Sequence, residues 1–287
     1  MSNKAYQQRL STMLNGVISE QLTSVLGTIV AKGLTLDSRQ VTDGSVFVAL
    51  VGANTDGRLY IEQAILQGAV AVLCHQTASS TNSVDNSGDV PIIYITDLEQ
   101  HLSQIASAFY QHPQRSMTLI GITGTNGKTT VTQLVSQWLT LMGHTTYSMG
   151  TLGNGLYDHL ADSPNTTLNA IDLIANLANA KTKGATHVVM KVSSHGLVLG
   201  RVKALVFDVT AFTNLSQDHL DFHGDMASYA NAKKQLFSRD YTQYAVLNGS
   251  DLTALTWARK WNGCEQLSSF NQQLPHAQQY VFAKDVV

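Results

Sequence analysis

Thr118-Leu119-Ile120-Gly121-Ile122-Thr123-Gly124-Thr125-Asn126-Gly127-Lys128-Thr129-Thr130 is the stretch that decides the fold. It opens as an apolar strand and passes into a glycine-rich turn. Behind it, Val131, Leu134, Val135, Trp138 and Leu139 recur at helical spacing. A strand, a glycine turn and a helix together form the context a phosphate-binding loop requires. Glycines let the backbone curl so that its N–H groups point inward, and the helix N-terminus adds partial positive charge. Lys128 is placed to reach the β and γ phosphates, and the Thr129 hydroxyl to meet Mg²⁺. The strict pattern has glycine six positions before the lysine. Here that position is Ile122, so the loop is the variant Gly124-x-x-Gly127-Lys128-Thr129. A glycine turn that merely opens a helix is the plainer reading. The Gly-Lys-Thr-Thr ending and its flanks weigh against it. Such a loop implies ATP or GTP binding and leaves the reaction open.

Further strands are expected at 187–192, 207–212 and 244–247, the alternation of a doubly wound sheet. Upstream, strand-like runs at 46–50, 70–73 and 92–95 accompany a helix-like stretch at 60–66. The spacing of Leu10, Met13, Leu14, Val17, Ile18, Leu22 and Leu26 predicts an amphipathic helix within residues 7–31. Residues 77–89 are rich in Ser, Thr, Asn and Asp and read as an exposed loop. A helix over 102–110 should end before Pro113. The predicted class is α/β in two parts, residues 1–114 and 115–287, with the boundary within 111–116. The tail from Asp251 reads as less regular.

The chain has 287 residues and a net charge of −2, which leaves no electrostatic case for nucleic acid or an acidic membrane surface. Hydrophobic residues make up 44 % and charged ones 13 %, so the chain can bury a core without disulfides or a structural metal. No apolar run approaches the roughly 20 residues of a membrane helix, and no leader pattern is read at the N-terminus. Cys74 and Cys264 show no ligand spacing, and Cys74 ends an apolar run and reads as core. The expectation is a cytoplasmic, monomeric enzyme.

Several other segments carry chemistry-bearing residues in order. They are Thr35-Leu36-Asp37-Ser38-Arg39, Asp56-Gly57-Arg58, Asn165-Thr166-Thr167, Val192-Ser193-Ser194-His195-Gly196-Leu197 with Arg201, Thr213-Asn214-Leu215, and Asp218-His219-Leu220-Asp221-Phe222-His223-Gly224 with Tyr229, Ala232 and Lys233 behind it. Taken singly, His219 reads as a structural histidine, Lys233 as a solvated helix lysine and Asp37 as a turn cap. Ser193-Ser194-His195 lacks the Gly-x-Ser-x-Gly elbow of a hydrolase.

Together, over about residues 35–250, they resemble the Mur ligases of peptidoglycan synthesis, and within them the MurE type. The resemblance implies an N-terminal UDP-substrate domain and a central ATPase domain, with the site where the two meet. It implies an ATP-dependent ligase that activates a carboxylate of UDP-N-acetylmuramoyl-L-alanyl-D-glutamate as an acyl phosphate, which an amino acid then attacks. ATP would sit on Gly124, Thr125, Asn126, Gly127, Lys128, Thr129 and Thr130. Thr129 and His219 would hold Mg²⁺, and Lys233 matches a lysine that relatives carry as a carbamate. Leu36, Ser38, Ala53, Asn54 and Thr55 match UDP-side positions. Asn165, Thr166, Thr167, Ser193 and Arg201 match positions around the muramoyl peptide.

Three departures qualify the resemblance. Lys191 stands where relatives have an acidic magnesium ligand. A lysine about 4 Å from Mg²⁺ would be repelled by about 8 kcal/mol at an effective dielectric near 20. Its side chain is expected to turn away or lose its proton. Leu199 stands where relatives commonly have a substrate-contacting glutamine. The chain also stops near the end of the portion resembling the ATPase domain, with nothing resembling the closing C-terminal domain. Meso-diaminopimelate is the expected third residue, and the chain by itself is expected to be inactive. The alternatives are a degenerate paralogue that only binds UDP-sugar or nucleotide, and a folylpolyglutamate synthase, which the Thr35–Arg58 segment argues against.

Overall fold

A computed structural model describes residues 6–52, 55–76, 81–161, 168–264, 266–270 and 272–281. The chain divides into two compact units, Met1–His112 with Ala170–Ala175, and Pro113–Asn169 with Asn176–Val287. Both are α/β. No helix among the described residues is long and apolar enough to cross a membrane.

The first unit is built on five strands in the spatial order Gly33–Thr35, Ser45–Ala49, Ala69–Gln76, Ile92–Thr96 and Ser83–Asp85. The first four run parallel and the last is antiparallel. Ser45–Ala49 is buried along its whole length, as a strand covered on both faces should be. Phe47, Ala49, Ala64 and Val72 form part of the core beneath it. Helix Leu98–Phe109 buries Leu98, Leu102, Ile105 and Phe109, one face at helical spacing.

Two expectations fail in this unit. The single helix within 7–31 is instead two short ones, Leu10–Met13 and Glu20–Val25, bracketed by the antiparallel pair Gln8–Arg9 and Val30–Ala31. Gly16 between them has φ +73°, which a right-handed helix cannot contain. Ser19 then caps the second helix by accepting from the Leu22 N–H. The apolar spacing does report burial, since Leu10, Met13, Leu14, Val17, Ile18 and Leu26 are all core. Within the polar run 77–89, residues 77–80 lie outside the described set, but Ser83–Asp85 is a strand. An edge strand pairs through backbone groups and tolerates polar side chains, so composition hides it.

The second unit carries a nine-stranded sheet, with His159–Ala161, Gly153–Leu156, Thr146–Gly150, His187–Lys191, Thr118–Thr123, Phe207–Phe212, Thr242–Asn248, Gln266–Phe270 and Gln279–Val281 in spatial order. The first two strands are antiparallel additions, and the other seven run parallel. The tail expected to be irregular extends this sheet. Helix Leu252–Arg259, capped by Asp251, leads into two further parallel strands. Its strand Gln266–Phe270 buries Ser268 and Ser269, so hydropathy does not mark it.

The register positions the site. Lys191 lies beside Ile122, and Phe212 beside Thr123. Three parallel strands therefore end abreast, and the segments that follow them emerge at one edge, where open α/β sheets bind ligands.

The Gly16 turn gives an opposite sign to the one expected of a helix. Gly16→Ala in a continuous helix would stabilise by up to about 1 kcal/mol. At φ +73° it should cost about 1–2 kcal/mol. Urea unfolding of the two proteins distinguishes them by sign.

Candidate functional site

Strand Thr118–Thr123 leads through Gly124–Gly127 into helix Lys128–Leu141. At the helix start, the N–H groups of Lys128, Thr129 and Thr130 have no carbonyl one turn back within the helix. Gly124 has φ +142°, and a Cβ there would collide with the Thr213 hydroxyl, so the position admits only glycine. The segment after Phe212 clamps the loop from outside. Thr213 Oγ1 donates to the Asn126 carbonyl at 2.6 Å. The Asn214 side chain both accepts from the Asn126 N–H and donates to its carbonyl. The Thr125 hydroxyl donates to the Ser216 carbonyl at 3.1 Å and lies 3.2 Å from Tyr229 Oη.

Two lysines meet on one loop carbonyl. Lys128 Nζ folds back and donates to Gly124 O at 2.8 Å and Thr125 O at 2.6 Å. Lys233, from helix Met226–Lys234, also donates to Gly124 O at 2.8 Å. Its side chain is 1 % exposed, and its ammonium lies 4.4 Å from the centre of the Tyr229 ring. Burial, and then the charge of Lys128, bring the Lys233 ammonium down to about 7. Burial, and then the charge of Lys191, bring Lys128 down to about 8. An anion at the helix start would relieve both.

Lys191 does not turn away from the loop. Its Nζ donates to Thr151 Oγ1 at 3.2 Å, and that hydroxyl lies 3.0 Å from Thr129 Oγ1. Burial lowers its pKa as well. Hence the hydroxyl expected to meet Mg²⁺ stands two hydrogen bonds from a lysine.

His219 caps a short helix at φ +53°. Its Nε2 is 3.4 Å from the Asp218 carboxylate, and its ring meets His195 edge-on at 4.9 Å. Among the described residues, no group of three or more His, Cys, Asp or Glu is disposed to hold a metal ion. Burial holds His195 and His223 below the usual histidine pKa, reinforced by His219 at the first and Lys233 at the second. Ser193 Oγ caps helix Ser194–Val198 by accepting from the Gly196 N–H, and the Arg201 N–H donates to the Gly196 carbonyl. The buried Ser194 hydroxyl lies 2.9 Å from His223 Nε2.

In the first unit, Leu36, Ser38 and Thr55 line one cleft of about 560 Å³, together with Phe47, Tyr60 and Gln63. Ser38 Oγ donates to Gln63 Oε1 at 3.2 Å. Asp37 caps the turn that follows it, as the plain reading expects, and its hydrogen bonds with Arg39 pull its carboxyl down to about 2. Ala53, Asn54, Asn165, Thr166 and Thr167 lie outside the described residues. Sequence reading missed Thr151 and Ser216, isolated polar residues outside the helices and strands that no local pattern distinguishes. It also missed the pairing of Ser194 with His223.

The model described as "Mur ligase middle domain" matches residues 122–284, and the one described as "Mur ligase family, catalytic domain" matches residues 30–110. Two curated relatives carry the name UDP-N-acetylmuramoyl-L-alanyl-D-glutamate--2,6-diaminopimelate ligase. The one from Vibrio vulnificus (strain YJ016) is 48 % identical over 86 % of this chain and 50 % of its own length. The one from Vibrio cholerae serotype O1 is 44 % identical over 91 % of this chain and 52 % of its own. A solved structure of a ligase of that name is similar at TM-score 0.72 and 30 % identity, covering 89 % of this chain and 51 % of the other. MurF from Acinetobacter baumannii shares the fold at TM-score 0.65 and 18 % identity, over 92 % of this chain and 53 % of its own. The chain thus spans about half the length of the relatives it matches.

Lys233 makes stability depend on pH with a defined sign. Its folded pKa, about 7, lies below the ordinary lysine value of 10.5, so between them the unfolded chain binds the extra proton. The Lys233 contribution should raise stability with pH across that window and be flat below it. Lys233→Met removes that residue's share of the slope and leaves the share of Lys128 and Lys191. Unfolding measured in both proteins from pH 7 to 10 should show the wild type gaining on the variant by a few kcal/mol. Parallel profiles would contradict the placement.

Proposed function

Because the chain belongs to the Mur ligase family, we propose that it supplies the UDP-substrate and nucleotide-binding machinery of a MurE-type ligase. The reaction is the ATP-dependent addition of meso-diaminopimelate to UDP-N-acetylmuramoyl-L-alanyl-D-glutamate. The observation that carries this reading is the convergence of Lys128 and Lys233 on Gly124 at the start of helix Lys128–Leu141.

In this reading the helix start and Lys128 receive the nucleotide phosphates, and Asn126, Thr125 and Gly127 shape the loop. Phosphoryl transfer to a carboxylate gathers negative charge that must be neutralised before an amine attacks, and fixed ammonium groups supply that neutralisation. Lys233, kept near neutrality by burial, is the group a carbamate would form on. Leu36, Ser38 and Thr55, with Ala53 and Asn54, receive the uridine side. Ser193, Arg201 and Asn165 to Thr167 receive the muramoyl peptide. The relatives' name favours diaminopimelate as the added residue.

Magnesium does not fit the donor set at Thr129. The position that neighbours its hydroxyl through Thr151 carries the Lys191 ammonium, not a carboxylate. That observation favours a second reading, in which the chain binds nucleotide and UDP-sugar without forming the amide bond.

Calorimetry tests the binding roles separately. UDP should bind the wild type, and Ser38→Ala should weaken it about fivefold. ATP should bind, and Lys128→Ala should weaken it about tenfold or more. Tripeptide and ADP formed by the purified chain with meso-diaminopimelate would decide for the ligase over the binding-only reading. Failure of both nucleotides to bind would contradict both.

A further inference from the structure

We infer that Lys191 takes the place of a divalent cation at this phosphate loop, so that a nucleoside di- or triphosphate is held in its metal-free form by the ammoniums of Lys128 and Lys191. The inference rests on the reading of Gly124–Thr130 as a nucleotide site and adds to it the form of the ligand.

Position is the first support. Lys191 ends the strand beside the loop strand, at the register of Ile122, so its side chain leaves the sheet where the loop begins. Its Nζ reaches Thr129 through a single intervening hydroxyl, that of Thr151. A phosphate oxygen arriving at the N–H groups of Lys128 and Thr129 would meet the same two threonine hydroxyls.

Charge is the second. Lys128 donates to the loop carbonyls of Gly124 and Thr125, Lys191 stands one hydroxyl away from Thr129, and Lys233 braces Gly124 from beneath. Among the described residues, Asp218 is the carboxylate whose charge acts on Lys128 and Lys233, and it lies 3.4 Å from His219 Nε2. The ammoniums of Lys128 and Lys191 offset part of the charge of a free polyphosphate, and a divalent ion added at Thr129 would be repelled by them. An ammonium also donates hydrogen bonds to phosphate oxygen directly, as a point charge.

The geometry explains why Lys191 is held rather than splayed into solvent. Thr151 is the first residue after strand Thr146–Gly150, which pairs in parallel with the strand bearing Lys191. A hydroxyl partner keeps the ammonium at the loop without neutralising it, as a carboxylate would.

The test is ATP titration of the full chain, with EDTA and with millimolar Mg²⁺, on wild type, Lys191→Glu and Lys191→Met, each checked for folding by circular dichroism. The wild-type affinity should differ by no more than about threefold between the two conditions. Lys191→Met should lose about tenfold or more in both. Lys191→Glu should bind poorly in EDTA and regain affinity when Mg²⁺ is added. Wild-type affinity that rises tenfold or more with Mg²⁺ would overturn the inference while leaving the nucleotide site intact. Lys191→Met binding as well as wild type in EDTA would also overturn it. No ATP binding in either condition would overturn the nucleotide reading itself, and the inference with it.

Discussion

The carbonyl oxygen of Gly124 accepts from two lysine ammoniums, and much of the second unit serves to make that contact possible. A backbone carbonyl can take two donors, but two like charges a few ångströms apart repel. The repulsion is tolerated because each lysine is fixed from elsewhere. Lys128 is tied to a second carbonyl at Thr125, and Lys233 lies over the Tyr229 ring in a helix whose Ala232 and Tyr229 are core. Gly124 must be glycine to sit beneath Thr213, and Thr213 is there because its strand ends level with the loop strand. The two lysines thus oppose each other across the loop, and an anion at the helix start would offset that repulsion.

The first unit solves a different problem. Its cleft is walled by a short strand–turn segment around Ser38, by Tyr60 at the end of the turn Gly57–Tyr60 and by Gln63 in the helix Ile61–Leu66 that follows. The pair of Asp37 with Arg39 closes a turn in its wall, and the pair of Asp56 with Arg58 closes the turn that follows Thr55 in the chain. Both are partly exposed, so their contribution to stability is small, and their use is to hold turn geometry. Ser38 and Gln63 present hydroxyl and amide groups that suit a neutral heterocycle better than a phosphate.

The α/β class and the loop–helix junction were legible because they follow from local patterns: an apolar strand, glycines, then helical spacing. The strand at 207–212 and the helix ending before Pro113 were legible for the same reason. What local pattern could not carry was position among neighbours. Leu10 to Leu26 repeat like a helix because they are buried, yet Gly16 divides them. Gln266–Phe270 is a buried strand made largely of serine and glutamine, so only its partner strand reveals it. At the site, Lys128 and Lys191 could be singled out from sequence. That Lys191 stays beside Thr129 through Thr151 depends on the register of two strands and one turn, which no spacing in the chain encodes.

The central claim is that Lys128 and Lys191 form the phosphate site and that the helix start receives the ligand. A crystal structure of the chain with ADP, grown with a chelator, addresses it most directly. The account requires phosphate oxygens at the N–H groups of Lys128 and Thr129. Lys128 Nζ should be drawn off the Gly124 and Thr125 carbonyls, and Lys191 Nζ should lie within hydrogen-bond distance of a phosphate oxygen. ADP bound with Lys191 still on Thr151 and clear of the phosphates, or ADP bound away from the loop, would contradict it.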